Sequence, residues 1–330
     1  MGTHEPGLTA AVTSATGHEV AGVTSLGGAY RVRLAGGGSV VAKRHGSPSG
    51  VRAEVAGLRW LAASGGPPNS SLSAGTDNSG PAAGGCPQAP GRRGGPPFST
   101  LSASTDSFGP ADVGCPQVLG HGAEWLVIQD VPEGSASNAA AERFGRGLAR
   151  LHRSGAAAFG APPPGGPVDA WIGLAPMRNV TGAEWPRWYA EQRVLPYVRT
   201  AVDLGVLRDT RPFDDVCARI GELAGPPEPP ARLHGDLWSG NVLWGDDDRA
   251  WLIDPAAHGG HRETDLAMLR LFGCPHLDRV VGAYHETTPL ADGWRQRIPL
   301  HQLFPLLVHT VLFGGGYGAQ ATAAARQALA

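Results

Sequence analysis

The run His234-Gly235-Asp236-Leu237-Trp238-Ser239-Gly240-Asn241 and the later Ile253-Asp254-Pro255 form the densest polar cluster in the chain. Phosphoryl transfer asks for such a set. One carboxylate must accept a proton from the attacking hydroxyl, or orient it. Hard oxygen ligands must hold the cations that bridge the phosphate oxygens. Asp236 is the candidate base, and Asn241 and Asp254 are candidate Mg²⁺ ligands. Each also has a plainer reading: an Asx turn at Asp236, a strand cap at Asn241, and a turn initiator at Asp254 before Pro255. Their order and spacing favour the chemical reading.

The elements that must position these groups can be read outward from one residue. The chain has 27 basic residues, and Lys43 is its only lysine. A compact ammonium kept in so arginine-biased a chain points to a site that a planar guanidinium does not fit. Val20 to Leu26, Ala29 to Leu34 and Ser39 to Lys43 read as an antiparallel meander, with Gly27–Gly28 as its first turn. The apolar spacing of Val55, Leu58 and the Leu61/Ala62 pair predicts a helix over Val51 to Ala63. Lys43 thus ends the third strand and Glu54 rides the next helix, where a phosphate-binding lysine and its supporting glutamate belong in a kinase-like lobe.

Residues 65–117 then break the pattern. They are rich in Gly, Pro, Ser and Ala, and Gly65–Gln88 aligns on Gly94–Gln117 with 17 of 24 positions identical. Two polar copies cannot stack into a solenoid or offset their ordering entropy, so the segment reads as a disordered insertion. After it come a strand at Trp125 to Ile128, the linker Gln129 to Gly134, and a helix over Ala139 to His152. Helices over Trp185 to Leu204 and Pro212 to Ala224 follow. A hairpin (Asn241 to Trp244 with Ala250 to Ile253) and a mainly helical tail from Glu263 complete the pattern. Strands first and helices later predict an α+β, two-lobed fold. Residues 1–130 form an antiparallel sheet with one helix, and 131–330 a larger, mainly helical lobe.

Composition narrows the function classes. A formal net charge of −2 gives no case for nucleic acid or anionic membrane as partner. No apolar run approaches a membrane span, and Met1 to Val12 lacks the pattern of a signal peptide. Four cysteines, Cys86, Cys115, Cys217 and Cys274, contain no CxxC pair, which suits a reducing cytoplasm.

HGDLWSGN, with the later LIDPAAHGGHRETDLAMLRLFG, resembles the fructosamine kinases (ketosamine 3-kinases), relatives of the aminoglycoside phosphotransferases and choline kinases. HGDxxxxN is shared by the wider superfamily; Trp-Ser-Gly inside it and Gly-His-Arg-Glu-Thr-Asp-Leu-Ala after it point to the narrower family. SLGGAYRVRL, AEVAGLRWLA, GRGLARLHR and AEQRVLP are similar too, and the resemblance covers nearly all of the chain outside the repeat. It implies a protein-kinase-like fold, ATP and Mg²⁺ as reagents, and a sugar–amine adduct (a fructosamine or ribulosamine, free or on a protein) as substrate. Phosphorylation of the sugar hydroxyl would then serve deglycation repair. It places the adenine against the backbone of Gln129, Asp130 and Val131. It makes Asp265 a brace of the catalytic loop, and Trp238, His261, Glu263 and Trp294 candidates for the sugar and amine side.

Two departures stand against the family pattern. Ser25-Leu26-Gly27-Gly28 runs straight into Ala29-Tyr30, a shortened turn with fewer backbone N–H groups for phosphates. The repeat occupies a junction that normally needs a short loop, although closure entropy grows only slowly with length. These keep two other readings open: an aminoglycoside- or choline-like kinase, and a catalytically impaired nucleotide-binding relative.

Overall fold

Residues 7–63 and 112–330 are described by the structure, a computed structural model. The repeat therefore lies outside the described residues up to residue 111. The chain opens with helix α1 (Leu8–Thr16), followed by strands β1 (Val20–Ser25), β2 (Ala29–Leu34) and β3 (Ser39–Arg44), and helix α2 (Pro48–Ala62). After the repeat come β4 (Val113–Gly114), β5 (Val118–His121) and β6 (Trp125–Gln129). Five of these strands form one sheet in the order β1-β2-β3-β6-β5, and every neighbouring pair is antiparallel.

Strand alternation explains why this sheet needs two helices. Val40 and Ala42 point to one face of β3; Val41, Lys43 and, just past the strand, His45 point to the other. The first face packs on α1, where Leu8 and Val12 meet Val32, Val40, Ala42 and Val127. Only two apolar residues of α1 are fully buried, too sparse a stripe to announce a helix in the sequence. The second face is covered by α2, whose Val51, Val55 and Leu58 meet Leu126 and Ile128. Ser47 starts α2 as its N-cap: its hydroxyl accepts from Gly50 N at 3.1 Å, and Pro48 follows at the first turn. Glu54 falls inside the buried stripe of α2, three residues after Val51 and four before Leu58.

The remaining chain contains α3 (Asn138–Arg153), the hairpin β7 (Asp169–Ile172) and β8 (Ala175–Arg178), then α4 (Trp185–Tyr189) and α5 (Leu195–Asp203). A π-helical turn at Ala190–Val194 joins the last two, so the helix expected over Trp185 to Leu204 is continuous but locally underwound into a wider turn. Next are α6 (Arg211–Leu223), β9 (Ala231–Leu233), β10 (Val242–Trp244), β11 (Ala250–Leu252) and β12 (His258–Gly260). Helices α7 (Glu263–Phe272), α8 (Leu277–Thr287), α9 (Trp294–Phe313) and α10 (Tyr317–Leu329) close the chain. Two apolar clusters hold this part. One gathers Phe144, Leu148, Leu237, Leu252, Leu269 and Tyr284; the other gathers Trp185, Tyr189, Phe213, Leu303 and Leu307. The mixed architecture, an N-terminal antiparallel sheet followed by a helical part, is the α+β fold expected.

One expectation needs correction. Residues 112–117, assigned to the disordered insertion, are ordered. β4 pairs in parallel with β11, Val113 opposite Ala250 and Gly114 opposite Trp251. Cys115 packs half-buried against the apolar cluster beneath it, and burial pushes its thiol up to about 12. The Gly/Pro-rich composition hid this strand because a two-residue bridge has no periodicity to read.

Candidate active site

Lys43 and Glu54 meet because of the register just described: the α2 face of β3 looks at the buried stripe of α2. Lys43 Nζ lies 2.9 Å from Glu54 Oε2 and 2.9 Å from Asp254 Oδ1. Burial disfavours the ammonium, but Glu54 and then Asp254 outweigh it and hold the Lys43 pKa above its ordinary value. For Glu54, burial acts upward, while the nearby His45 ring and the charge of Lys43 carry its pKa below the usual carboxylate value. His45 Nε2 lies 3.1 Å from Glu54 Oε2. The sequence reading missed His45. The signal was available: two positions after Lys43, it shares that residue's strand face.

The loop between β9 and β10 carries Asp236, and its shape depends on Asp265 at the start of α7. Both Asp265 oxygens accept backbone N–H groups, Oδ2 from His234 at 2.8 Å and Oδ1 from Gly235 at 3.0 Å. His152 Nε2 lies 3.1 Å from Asp265 Oδ2, and His152 Nδ1 is 2.8 Å from the Tyr284 hydroxyl. Burial would raise the Asp265 pKa, but His152 and the His234 N–H lower it below the ordinary value. His234 Nδ1 accepts from Asp236 N at 3.3 Å, which leaves its Nε2 to donate to Ile253 O at 2.9 Å. Gly235 has φ +82°, and a Cβ there would stand 2.1 Å from Ala256 O, so no other residue fits. Leu237, fully buried, anchors the loop in the core. His152 is a support that sequence reasoning missed, since nothing in its spacing ties it to Asp265.

Asp236 itself is partly buried. Its pKa is pushed up to about 7, chiefly by burial, with the Asn241 hydrogen bond opposing and the Asp254 charge adding to the rise. Asn241 Nδ2 donates to Asp236 O at 2.9 Å and to Asp236 Oδ2 at 3.1 Å. The Asn241 amide nitrogen is thus committed, and its carbonyl oxygen is the atom offered outward. Asp254 has φ +52°, a conformation that aspartate and asparagine tolerate better than most residues. Lys43, Glu54, Asp236, Asn241 and Asp254 all line one cleft of about 660 Å³. The carboxylate of Asp254 and the amide oxygen of Asn241 are hard donors of the type Mg²⁺ takes, so the donor set fits that ion.

The other predicted site residues divide. Trp238 is exposed in the same cleft, edge-on to Phe272 at a centroid distance of 6.3 Å. His261, Glu263 and Trp294 do not line it; each is buried. Glu263 accepts two bonds from Arg297, Nη2 to Oε1 at 2.6 Å and Nε to Oε2 at 2.9 Å, and His301 Nε2 lies 3.3 Å from Oε2. Against the upward push of burial, these neighbours hold the Glu263 pKa down to about 2. His261 is kept neutral mainly by burial. His261, Glu263 and His301 stand within 4.8 Å of one another, as metal ligands do, but Arg297 already occupies both Glu263 oxygens. His261, Glu263 and Trp294 thus stand in packed surroundings, outside the lining of the cleft that holds Asp236.

Gly27, Gly28, Gln129, Asp130 and Val131 also lie outside the lining of this cleft. Gly27–Gly28 is a two-residue hairpin loop: Leu26 N bonds Ala29 O at 2.8 Å, with φ +80° at Gly27. The Asp130 carboxylate accepts from Ser39 Oγ at 2.5 Å and from Arg31 Nε at 3.1 Å, tying the linker to β3 and β2.

A strand lysine held by a helix glutamate, beside a loop aspartate with its asparagine and a second aspartate, defines a phosphotransferase of the kinase-like class. Structural neighbours agree. A macrolide 2′-phosphotransferase from Brachybacterium faecium, 14% identical, superposes with a TM-score of 0.54 over 95% of this chain and 96% of that one, which shows the fold alone. A Thermobifida fusca protein assigned as a fructosamine-3-kinase is 44% identical, with a TM-score of 0.78 over 98% of each chain. A Synechocystis protein assigned as a ketoamine kinase is 35% identical over 63% of this chain and 68% of its own length. The chloroplastic protein-ribulosamine 3-kinase of Arabidopsis thaliana is 30% identical over 61% of this chain and 60% of its own. The fructosamine kinase family model matches residues 100–330. The chain belongs to the fructosamine kinase family.

Proposed function

We propose that this chain is a ketosamine kinase, transferring the terminal phosphoryl group of ATP to a sugar hydroxyl of a sugar–amine adduct. The observation that carries the reading is the position of Lys43 Nζ, 2.9 Å from both Glu54 and Asp254, in the cleft that also holds Asp236 and Asn241. Asp236, with its pKa near neutrality, accepts the proton of the acceptor hydroxyl as that oxygen bonds to phosphorus and the bond to the departing ADP breaks. Asn241 fixes the Asp236 carboxylate through its amide nitrogen. Asn241 and Asp254 would hold Mg²⁺, which neutralises charge on the transferring group. Lys43 contacts the nucleotide phosphates, and Glu54 with His45 keeps its ammonium in place.

Gly27 and Gly28 would cover the phosphates, and the backbone of Gln129 to Val131 would meet the adenine, since the Asp130 side chain is taken up by Ser39 and Arg31. Residues 1–130 would serve the nucleotide and 131–330 the acceptor, with β4 the exception because it pairs with β11. Trp238, exposed beside Asp236, would face the sugar. No helix among the described residues is long and apolar enough to cross a membrane. Cys115, Cys217 and Cys274 are free thiols, in keeping with a reducing compartment such as the cytoplasm.

The test is phosphate transfer from Mg-ATP to a panel of fructosamines and ribulosamines. Wild type should turn over at least one of them, and Asp236→Ala should lose about 10²–10⁴-fold in rate while remaining folded. Turnover of aminoglycosides or choline with none of the ketosamines would reject the acceptor class. Nucleotide binding without any transfer would reject the kinase reading.

A further inference from the structure

Three large apolar side chains that stand exposed, Leu174 at 85%, Phe313 at 65% and Trp238 at 39%, all line the cleft containing Asp236. Single exposed hydrophobics need no explanation, but a group gathered in one concave site does. Leu174 and Phe313 come from separate elements. Leu174 sits at the tip of the β7–β8 hairpin, where Ile172 pairs with Ala175, and Phe313 ends α9. Leu312 brings the two elements together: its Cδ1 lies 3.7 Å from where a side chain on Gly173 would begin.

The lining residues from the same two elements, Trp171, Ile172, Val308 and Leu312, are apolar as well. The charged lining residues Lys43, Arg44, Glu54, Asp236 and Asp254 come from β3, α2 and the loops before β10 and β12. His309, the titratable group near Phe313, has its Nδ1 2.8 Å from Pro305 O and its ring 4.6 Å from that of Phe272. Burial lowers its pKa, so it adds no cation at neutral pH.

We propose that Leu174 and Phe313 form a specificity wall that seats an apolar arm carried on the amine nitrogen of the sugar adduct. The proposal rests on the ketosamine reading above. In a ketosamine the nitrogen lies only a few bonds from the reacting hydroxyl, so whatever it carries is drawn along the cleft wall once that hydroxyl meets Asp236. A methylene chain or a ring gains by covering this wall. A carboxylate beside it loses hydration and meets no counter-charge from either side chain. Two sources supply such an arm: the side chain of a glycated lysine within a protein, or a free aliphatic or aromatic amine.

The experiment compares kcat/KM for the fructosamines of n-hexylamine, of glycine and of lysine within a short peptide. Wild type, Leu174→Ser and Phe313→Ser are assayed; both residues are largely exposed, so the serine variants keep the fold. The hexylamine adduct should be preferred over the glycine adduct by about tenfold or more, and each variant should shrink that ratio about three- to tenfold. A lysine-peptide adduct as good as the hexylamine one identifies the arm with a protein side chain; a poor one identifies it with a small amine. Equal efficiency for the hexylamine and glycine adducts, or a ratio unchanged in both variants, overturns the wall. Turnover of no ketosamine at all overturns the ketosamine reading beneath it.

Discussion

Two clusters of this molecule use the same side-chain types and reach opposite states. In the cleft, Lys43, Glu54 and Asp254 share charge with an opening to solvent: the Asp254 side chain is 41% exposed and that of Lys43 24%. In the interior, Glu263 and Arg297 pair through two bonds, with His261 and His301 packed beside them. The carboxyl pKa values record the difference. Glu263 is held down to about 2, while Asp236 is pushed up to about 7 because burial outruns its single supporting amide. An acid, a base and histidines in proximity do not make a reactive site. Incomplete compensation beside an opening does.

That contrast breaks most easily at the interior pair. Arg297→Met leaves the Glu263 carboxylate buried without its partner, and should cost about 3–5 kcal/mol of stability in denaturant unfolding. A loss below about 1 kcal/mol would mean that Glu263 is not held by pairing, and the distinction between the clusters would go. The counterpart in the cleft is Glu54→Gln, which removes the charge behind Lys43. Because hydrogen bonds to charged groups are worth about 1.5–3 kcal/mol, kcat/KM for ATP should fall about 10–100-fold, with a smaller change in stability. Unaltered nucleotide kinetics would show that Lys43 does not depend on Glu54.

The smallest effect expected sharpens the comparison through pH. A carboxyl with a folded pKa raised above its unfolded value destabilises the folded state as pH rises between the two. For Asp236 that window runs from about pH 4 to about pH 7. In the protein free of nucleotide and metal, Asp236→Asn removes the cost. The variant should match wild type below the window and exceed it by about 1–3 kcal/mol above it, after discounting for the water that reaches the cleft. Urea titrations on both sides of the window measure this, and a gap that fails to open contradicts the raised pKa.

Much of the fold was legible because its signals are local. β2 follows the run Ala29–Leu34 that its alternation predicted, and the helix over Asn138–Arg153 follows the spacing of Phe144, Leu148 and Leu151. The hairpin of β10 and β11 was announced by the turn between them. Helix α1 was not foreseen, because Leu8 and Val12 become a core face only when the sheet arrives beneath them. β4 was hidden for a related reason: its two residues acquire meaning from β11, far along the chain. Of the four residues that the family resemblance offered for the sugar and amine side, Trp238 lines the cleft, whereas His261, Glu263 and Trp294 are buried by the packing around them.

Spacing along the chain determined which groups ride together on one element: Lys43 and His45 on a strand face, Glu54 in a helix stripe, and Asp236 with Asn241 on one loop. The tertiary structure alone decided which of those charges would be neutralised by a partner and which would be left facing an opening. The reason is physical: periodicity is a property of a single segment, but the pairing and hydration of a charge depend on every segment packed around it.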